Sequence, residues 1–188
     1  MNAVTWKQFS FTYRGERDHA LNAIDLTIEP GQFVAIMGAS GAGKSTLGFT
    51  LNGLIPHFQK GRLTGSVIVF GKDVQQKKVN EMAADVGLVF QDFESQLFST
   101  NVRLEVAFGR ENFELTWEEI NARVRTWLEN GGLEQFVERD PSSLSGGQKQ
   151  RLAIASVLAL KPKLLSLETR KGKIIFFALR ACLKKKRT

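Results

Sequence analysis

The sequence has little of several features that would assign it to a special class. Its single cysteine, Cys182, can form no internal disulfide, which fits a reducing compartment. The longest apolar run, residues 174–179, has six residues, whereas a membrane helix needs about twenty. The N-terminal segment lacks the basic start and apolar stretch of a signal peptide. We therefore expect a globular chain that stays in the cytosol.

Acidic residues are missing from the end of the chain. The net charge is +7, with 26 Lys and Arg against 19 Asp and Glu. Eight of the basic residues and none of the acidic ones lie in residues 169–188, so residues 1–168 hold 18 basic and 19 acidic side chains. A basic surface on the fold would indicate a nucleic-acid partner. Because the excess is confined to the last segment, we expect no nucleic-acid partner.

Short apolar segments alternate with helical patterns along the chain. Strands rich in Val, Ile, Phe and Leu are predicted at residues 4–13, 26–28, 33–37, 66–70, 86–90 and 164–167. Helices are predicted at about residues 44–53, 116–130 and 148–160. Thr116, with Glu119 three residues on, predicts a capping box at the start of the second helix, and Gly131 and Gly132 predict its end. This alternation is typical of an α/β fold with a parallel sheet.

A glycine-rich segment lies between a predicted strand and a predicted helix. It fits the P-loop pattern G-x-x-x-x-G-K-[ST] and consists of Gly38, Ala39, Ser40, Gly41, Ala42, Gly43, Lys44, Ser45 and Thr46. Glycines let successive N–H groups turn toward phosphate oxygens, and the helix adds the positive end of its dipole. The alternative is a chance glycine turn. The flanking strand and helix favour nucleotide binding by these nine residues.

The chemistry of such a loop assigns separate tasks to its last three residues. Lys44 would contact the β and γ phosphates of a nucleotide. Ser45 would bind Mg²⁺, and Thr46 would hydrogen-bond the α phosphate. A P-loop alone does not distinguish kinases, GTPases and transport ATPases.

A second glycine motif lies about 100 residues further on. It consists of Leu144, Ser145, Gly146, Gly147 and Gln148. Together with the P-loop, it resembles the signature motif of ATP-binding cassette (ABC) transporter ATPases, and the resemblance covers about residues 1–167. In that family the signature closes over ATP held by another ATPase subunit. The alternative for the motif alone is an ordinary helix N-cap followed by loop glycines.

The resemblance implies roles for two further side chains. Tyr13 matches the aromatic residue that stacks on adenine; the alternative is a strand aromatic packed in the core, with Phe11 as the next candidate for stacking. Gln91 matches the glutamine that contacts Mg²⁺ and the attacking water; the alternative is a polar residue that ends a strand. Lys44 and Gln91 are thus the predicted catalytic residues, and Ser45 and Gln91 are the predicted metal ligands.

Softer patterns refine the resemblance. Residues 52–57, 65–67 and 89–98 are similar to the ATPase subunits of energy-coupling-factor importers, which energise vitamin or metal-ion uptake. This implies ATP and Mg²⁺ as ligands, a second ABC ATPase subunit as homodimer or heterodimer partner, and a transmembrane transporter subunit. The chain would lie in the cytoplasm, peripherally on the inner face of the cell membrane.

The resemblance also implies a domain organisation. The fold would be a P-loop NTPase of the α/β class with a parallel core sheet, an antiparallel N-terminal β subdomain and an inserted helical subdomain. Residues 1–168 would form an incomplete nucleotide-binding domain, with the helical signature subdomain at about residues 92–150. Residues 169–188 would be a basic tail that does not derive from the family, so the C-terminal core strands would be missing.

The family pattern breaks off at the end of the last predicted strand. Family members continue this strand into Asp-Glu, whereas here Glu168 and Thr169 stand at those positions. Glu168 is one methylene longer than Asp and could still reach the metal. Threonine cannot accept a proton near neutral pH, and losing a general base typically costs about 10² to 10⁴ in rate. No histidine follows His57, so the family's switch histidine is also absent.

Three functions follow from this break. The first is an importer ATPase whose hydrolysis is impaired. The second is a non-catalytic nucleotide-binding partner whose signature completes the site of an intact subunit. The third is an inactive truncated product that folds poorly, because the P-loop strand would lack a neighbour. Residues 174–179 are not expected to supply that neighbour, since six residues are too few for a parallel crossover. A natural basic amphipathic tail is the alternative for the terminal segment.

Overall fold

The computed structural model describes residues 1–111, 116–169 and 173–178, in two compact units. The first unit is Met1–Leu88 with Pro162–Thr188, and the second is Val89–Lys161. Cys182 and most of the predicted tail, residues 170–172 and 179–188, lie outside the described residues. None of the helices in the described part of the chain is long and apolar enough to cross a membrane.

The strands and helices follow one another in the alternation that the sequence predicts. The strands are β1 (Val4–Tyr13), β2 (Leu21–Ile28), β3 (Phe33–Ile36), β4 (Gly61–Val69), β5 (Lys72–Asp73), β6 (Val86–Val89), β7 (Leu164–Glu168) and β8 (Ile174–Ala178). The α-helices are α1 (Lys44–Phe49), α2 (Leu54–His57), α3 (Val79–Ala83), α4 (Val102–Glu111), α5 (Trp117–Gly131) and α6 (Gly146–Ala159).

An antiparallel sheet forms the N-terminal part of the first unit. Its strand order is β2-β1-β4-β5, with β1 antiparallel to both β2 and β4. The side chains of Trp6, Phe9 and Phe11 on β1 are buried in the core of this unit. These aromatic side chains, together with valines and isoleucines of the neighbouring strands, explain why this end of the chain folds as a sheet with one buried face.

The second sheet of the first unit carries the P-loop strand and has the order β3-β8-β7-β6. β8 runs antiparallel to both of its neighbours, so β3 and β7 point the same way. Phe177 pairs with Phe33 on one side and with Leu165 on the other. The expectation that the P-loop strand lacks a neighbour is therefore wrong. A short connection cannot make a parallel crossover, but it does make a hairpin that brings β8 back along β7.

β8 contributes to the hydrophobic core as well as to the sheet. Ile174, Phe176 and Ala178 are at most 2% exposed, and the Phe176 ring centroid lies 6.1 Å from that of Trp6. The intervening Phe177 faces the other side of the sheet and is 38% exposed. The first residues past the family pattern thus complete the core of the first unit.

An ion cluster holds the beginning of β7. The Asp85 side chain, which is 6% exposed, lies 2.6 Å from Lys72 Nζ and 2.7 Å from Lys163 Nζ. The backbone carbonyl of Asp85 accepts hydrogen bonds from the N–H groups of Lys163 and Leu164. Burial acts to raise the pKa of Asp85, but the hydrogen bonds from both lysines outweigh it and lower the pKa below its ordinary value of 3.8. The carboxylate therefore stays ionised and joins β5 to β7.

The second unit is built from α4, α5 and α6. Its core contains Val106, Val124 and Leu152, one from each helix. Thr116 caps α5 through the predicted capping box, and Gly132 ends that helix with a φ of 60°. α2, α3 and α4 were not among the predicted helices, whereas α5 and α6 begin and end within two residues of their predicted limits.

Candidate nucleotide-binding site

The P-loop connects β3 to α1 in a conformation that requires glycine. Gly41 and Gly43 have φ values of 79° and 81°, in the left-handed region that other residues rarely adopt. A Cβ atom at Gly43 would lie 2.2 Å from the carbonyl oxygen of Ala20. No side chain fits there, so Gly43, the second glycine that defines the motif, is also required by this backbone.

The Lys44 side chain lies against the loop. This residue is only 9% exposed, and its Nζ donates hydrogen bonds to the carbonyl oxygens of Gly38 and Ala39, at 3.1 and 2.5 Å. The ammonium group is thereby held beside the backbone of the P-loop. Its position brings a positive charge to the segment that the sequence assigns to phosphate binding.

Ser45 and Glu168 meet at the end of β7. The Ser45 hydroxyl donates a hydrogen bond to the Glu168 carboxylate. Glu168, whose side chain is one methylene longer than the Asp of the family pattern, thus contacts Ser45, the predicted metal ligand. In the ranges that the structure describes, no group of three or more His, Cys, Asp or Glu side chains could hold a metal ion. Magnesium usually binds through one or two protein oxygens plus substrate phosphates, and this pair fits that chemistry.

Tyr13 borders the P-loop through its hydroxyl group. Tyr13 Oη lies 3.0 Å from Thr46 Oγ1, and its ring packs edge-on against Phe11 at a centroid distance of 4.9 Å. Phe11 is fully buried, which makes it unsuitable as a surface for adenine. An open cavity of about 400 Å³ lies between this tyrosine and the loop; it is lined by Tyr13, Glu16, Ala20, Gly41, Gly43, Ser45 and Thr46.

Thr169 is engaged in the turn between β7 and β8. Its hydroxyl accepts the N–H of Lys173 at 3.2 Å, and its own N–H donates to the Lys173 carbonyl at 2.8 Å. A hydroxyl used in this way contributes to the hairpin. It supplies no general base at the position where the family has glutamate.

Gln91 lies in the second unit, and one residue, Phe90, separates it from the end of β6. Two side chains that were not predicted, Glu105 and Lys149, hold residues 94–99, which follow Gln91. Glu105, 4% exposed, accepts hydrogen bonds from the N–H groups of Phe98 and Ser99, and Lys149 pairs with Glu94 at 3.1 Å. No local sequence signal marked Glu105, because its burial follows from tertiary packing. The contact of Gln91 with metal and water stays a prediction.

The signature motif forms the beginning of α6. Ser145 is the N-cap, its hydroxyl accepts the N–H of Gln148 at 3.4 Å, and Gln148 Oε1 accepts the N–H of Ser145 at 2.8 Å. Leu144 is buried, whereas Ser145, Gly146 and Gly147 are exposed. A Cβ atom at Gly147 would have no neighbour within 4 Å. Packing within the chain thus explains the serine as a cap but does not explain Gly147.

The match to a known family covers most of the chain. The sequence model of the family described as ABC transporter matches residues 21–168. The chain belongs to the ABC transporter family. The matched region includes the P-loop and the signature and ends at Glu168, the residue after which the family pattern was seen to break off.

Relatives of this ABC transporter domain are found in bacteria and archaea. A protein of Caldanaerobacter subterraneus subsp. tengcongensis, described as an ABC transporter ATP-binding protein, is 54% identical over 163 residues, which are 86% of this chain and 29% of that protein. A protein of the same description from Pyrococcus horikoshii is 47% identical over 168 residues, 89% of this chain and 59% of that protein. The chain therefore spans between about a third and three fifths of these two relatives.

A solved structure supports the fold. CbiO1 from Clostridium perfringens, described as part of the ABC transporter complex cbiONQ, superposes with a TM-score of 0.77 and 32% sequence identity. The comparison covers 91% of this chain and 66% of that chain. The predicted P-loop NTPase fold is confirmed, although the core sheet is mixed and not parallel throughout, because β8 runs antiparallel between β3 and β7. The finer division at residues 92, 150 and 168 and the roles of individual site residues stay predictions.

Proposed function

We propose that this domain binds ATP with Mg²⁺ in the P-loop as part of a transporter ATPase. The observation that carries the proposal is the arrangement at the ends of β3 and β7, where Lys44 lies along the loop and Ser45 contacts Glu168. Lys44 would hold the β and γ phosphates, and the N–H groups of residues 38–46 would surround them. Tyr13 would stack on the adenine ring.

The residues present fit a magnesium ion bound together with the triphosphate. Ser45 would be its direct protein ligand, and Glu168 would bind it directly or through water. The ion would supply charge neutralisation of the phosphates. Gln91 is proposed as a further ligand of the ion on the family resemblance alone.

The signature is proposed to bind the nucleotide of a second ABC ATPase subunit. The first residues of α6, Gly146 and Gly147, are exposed at its N-terminus, where helix N–H groups lack partners in the helix. Among the described residues nothing lies within 4 Å of a Cβ at Gly147, so packing there does not require glycine. A close approach by a phosphate group from outside the chain would explain it.

The transport function is proposed from the relatives and from the softer sequence patterns. CbiO1 is part of a transporter complex, and residues 89–98 resemble energy-coupling-factor ATPases. We infer that this chain likewise acts with a transmembrane subunit at the inner face of the cell membrane and drives solute uptake. It is not proposed to bind nucleic acid.

Hydrolysis by this chain is proposed to be weak. Thr169 replaces the catalytic glutamate and is engaged in the β7–β8 turn. The same observation favours a second candidate function, in which the chain is a non-catalytic partner that lends its signature to an intact ABC ATPase. The two candidates share ATP binding and differ in where phosphate is released.

Calorimetry tests the shared property. Titration of ATP with Mg²⁺ should show saturable binding, and Lys44→Ala should weaken it about tenfold or more, because charge-assisted hydrogen bonds to phosphate are lost. Lys7→Ala, an exposed lysine on β1, is the matched control and should bind as the wild type. Equal affinity of the Lys44→Ala variant and the wild type would contradict the proposal.

Phosphate release distinguishes the two candidates. Thr169→Glu should raise the slow rate of the isolated protein if the chain has its own hydrolytic site. In a mixture with an intact ABC ATPase, Ser145→Arg should abolish stimulation if the chain is a non-catalytic partner. A wild-type mixture that hydrolyses no faster than the intact enzyme alone would exclude the second candidate.

A further inference from the structure

The Tyr13 hydroxyl contacts a P-loop residue instead of pointing to solvent. Its oxygen lies 3.0 Å from Thr46 Oγ1, and Thr46 is only 6% exposed. The edge-on contact with the fully buried Phe11 fixes the orientation of the tyrosine ring. A residue that served only as a flat surface for a base would need neither this hydroxyl nor this contact.

We propose that Tyr13 is a positioning residue for phosphate binding, because its hydroxyl orients the hydroxyl of Thr46. The inference rests on the proposed nucleotide function of the P-loop. A threonine hydroxyl has one proton to donate and can accept two hydrogen bonds. When Tyr13 donates to Thr46 Oγ1, the Thr46 proton is free for a phosphate oxygen. If Thr46 instead donates to Tyr13, its one proton is already used.

A phosphate group selects the first of these two arrangements. It is an acceptor at the relevant pH, so it stabilises the state in which Thr46 donates to it while accepting from Tyr13. Hydrogen bonds in such a chain polarise and strengthen one another. The tyrosine would thus strengthen the hydrogen bond from Thr46 to phosphate without itself contacting phosphate.

A second contact joins β1 and the P-loop at the same place. The carbonyl of Ala20 lies against the Cα of Gly43, where a Cβ would be 2.2 Å from the oxygen, and the N–H of Ala20 donates to the Phe11 carbonyl at 2.8 Å. Ala20, which lines the same cavity, therefore links β1 to the loop beside Tyr13. This link helps to keep the Tyr13 hydroxyl within hydrogen-bonding distance of Thr46 Oγ1.

Tripolyphosphate provides a ligand without a base. With Mg²⁺ present, Tyr13→Phe should weaken tripolyphosphate binding about fivefold, the loss expected for one neutral hydrogen bond, and should weaken ATP binding by a similar factor. Phenylalanine keeps a flat ring, so a residue that only stacks on adenine would lose little ATP affinity and no tripolyphosphate affinity. Binding is measured by displacement of a fluorescent ATP analogue.

Three further variants make the test specific. Thr46→Val should weaken tripolyphosphate binding, and Tyr13→Phe should have no additional effect in that background. Thr46→Ser keeps the hydroxyl and should restore the effect of Tyr13→Phe. Thr12→Val removes a β1 hydroxyl that contacts His19 Nδ1 at 2.9 Å, and it should leave tripolyphosphate binding unchanged.

The outcomes separate this inference from the function on which it rests. If neither ATP nor tripolyphosphate displaces the analogue from the wild type, the proposed function fails. Two results would overturn this inference alone, provided that the wild type binds ATP. The first is equal affinity of Tyr13→Phe and the wild type for tripolyphosphate. The second is a failure of tripolyphosphate to displace the analogue at all. Thermal unfolding of each variant verifies that the loss is not caused by a failure to fold.

Discussion

The contribution of β8 to the core gives a prediction with an internal control. Phe176 and Phe177 are adjacent, have the same side chain and face opposite sides of one strand. Phe176 is fully buried in contact with Trp6, whereas Phe177 is 38% exposed. Truncation of a buried phenylalanine to alanine typically costs about 3–5 kcal/mol, from lost burial plus the cavity left behind. We therefore expect Phe176→Ala to be far more destabilising than Phe177→Ala.

The two variants are compared by urea unfolding and by calorimetry. For a chain of this size, about 2–4 °C of Tm is lost for each kcal/mol, so Phe176→Ala should lower Tm by roughly 6–20 °C. Phe177→Ala should cost less, about 1–2 kcal/mol including the lost edge-on contact with Phe33, since its ring is only partly removed from water. Equal effects of both changes, or a larger effect of Phe177→Ala, would refute the placement of β8 and the reasoning built on it.

Two other predictions concern the first unit. Asp85 has a pKa that is lowered in the folded state, so its contribution to stability is present above the ordinary value of 3.8 and is lost as the pH falls through the folded value. Urea midpoints between about pH 6 and pH 3 should thus decline less in Asp85→Asn than in the wild type, and parallel curves would contradict the ion cluster. Gly43→Ala should abolish ATP binding in the calorimeter, because its Cβ would lie 2.2 Å from the Ala20 carbonyl oxygen at a φ of 81°; normal affinity would show that the loop adopts another conformation. Gly41→Ala is its control for φ alone, since its Cβ has no neighbour within 4 Å.

Local signals were sufficient for much of this structure. The P-loop is identified by its glycines, and one of the two that define the pattern, Gly43, adopts a left-handed conformation that favours glycine. Thr116 and Gly132 mark the ends of α5 with a capping box and a left-handed residue, as read from the sequence. β1 was predicted with its observed limits because its aromatic and β-branched residues have high strand propensity.

Other features depend on distant partners and were not predictable from local patterns. The segment that forms β8 was recognised as apolar. Its direction in the sheet depends on a hairpin with β7, and its other partner, β3, is distant in the sequence. The contact between Tyr13 and Thr46 and the burial of Glu105 likewise follow from tertiary packing. The sequence shows a threonine at position 169, but only the structure gives its hydroxyl a role in the turn.

The pairing of β3 with β8 also constrains the order in which the protein can assemble. A ribosome makes Phe33 early and its partner Phe177 long afterwards, and among the described residues β8 is the only strand beside β3 in its sheet. Pairing between such distant segments is slow, because the intervening chain must first be brought into place. During synthesis the P-loop after β3 would thus leave the ribosome before it could adopt its folded conformation. Competence to receive a nucleotide would come late, after β8 had left the exit tunnel and closed the hairpin.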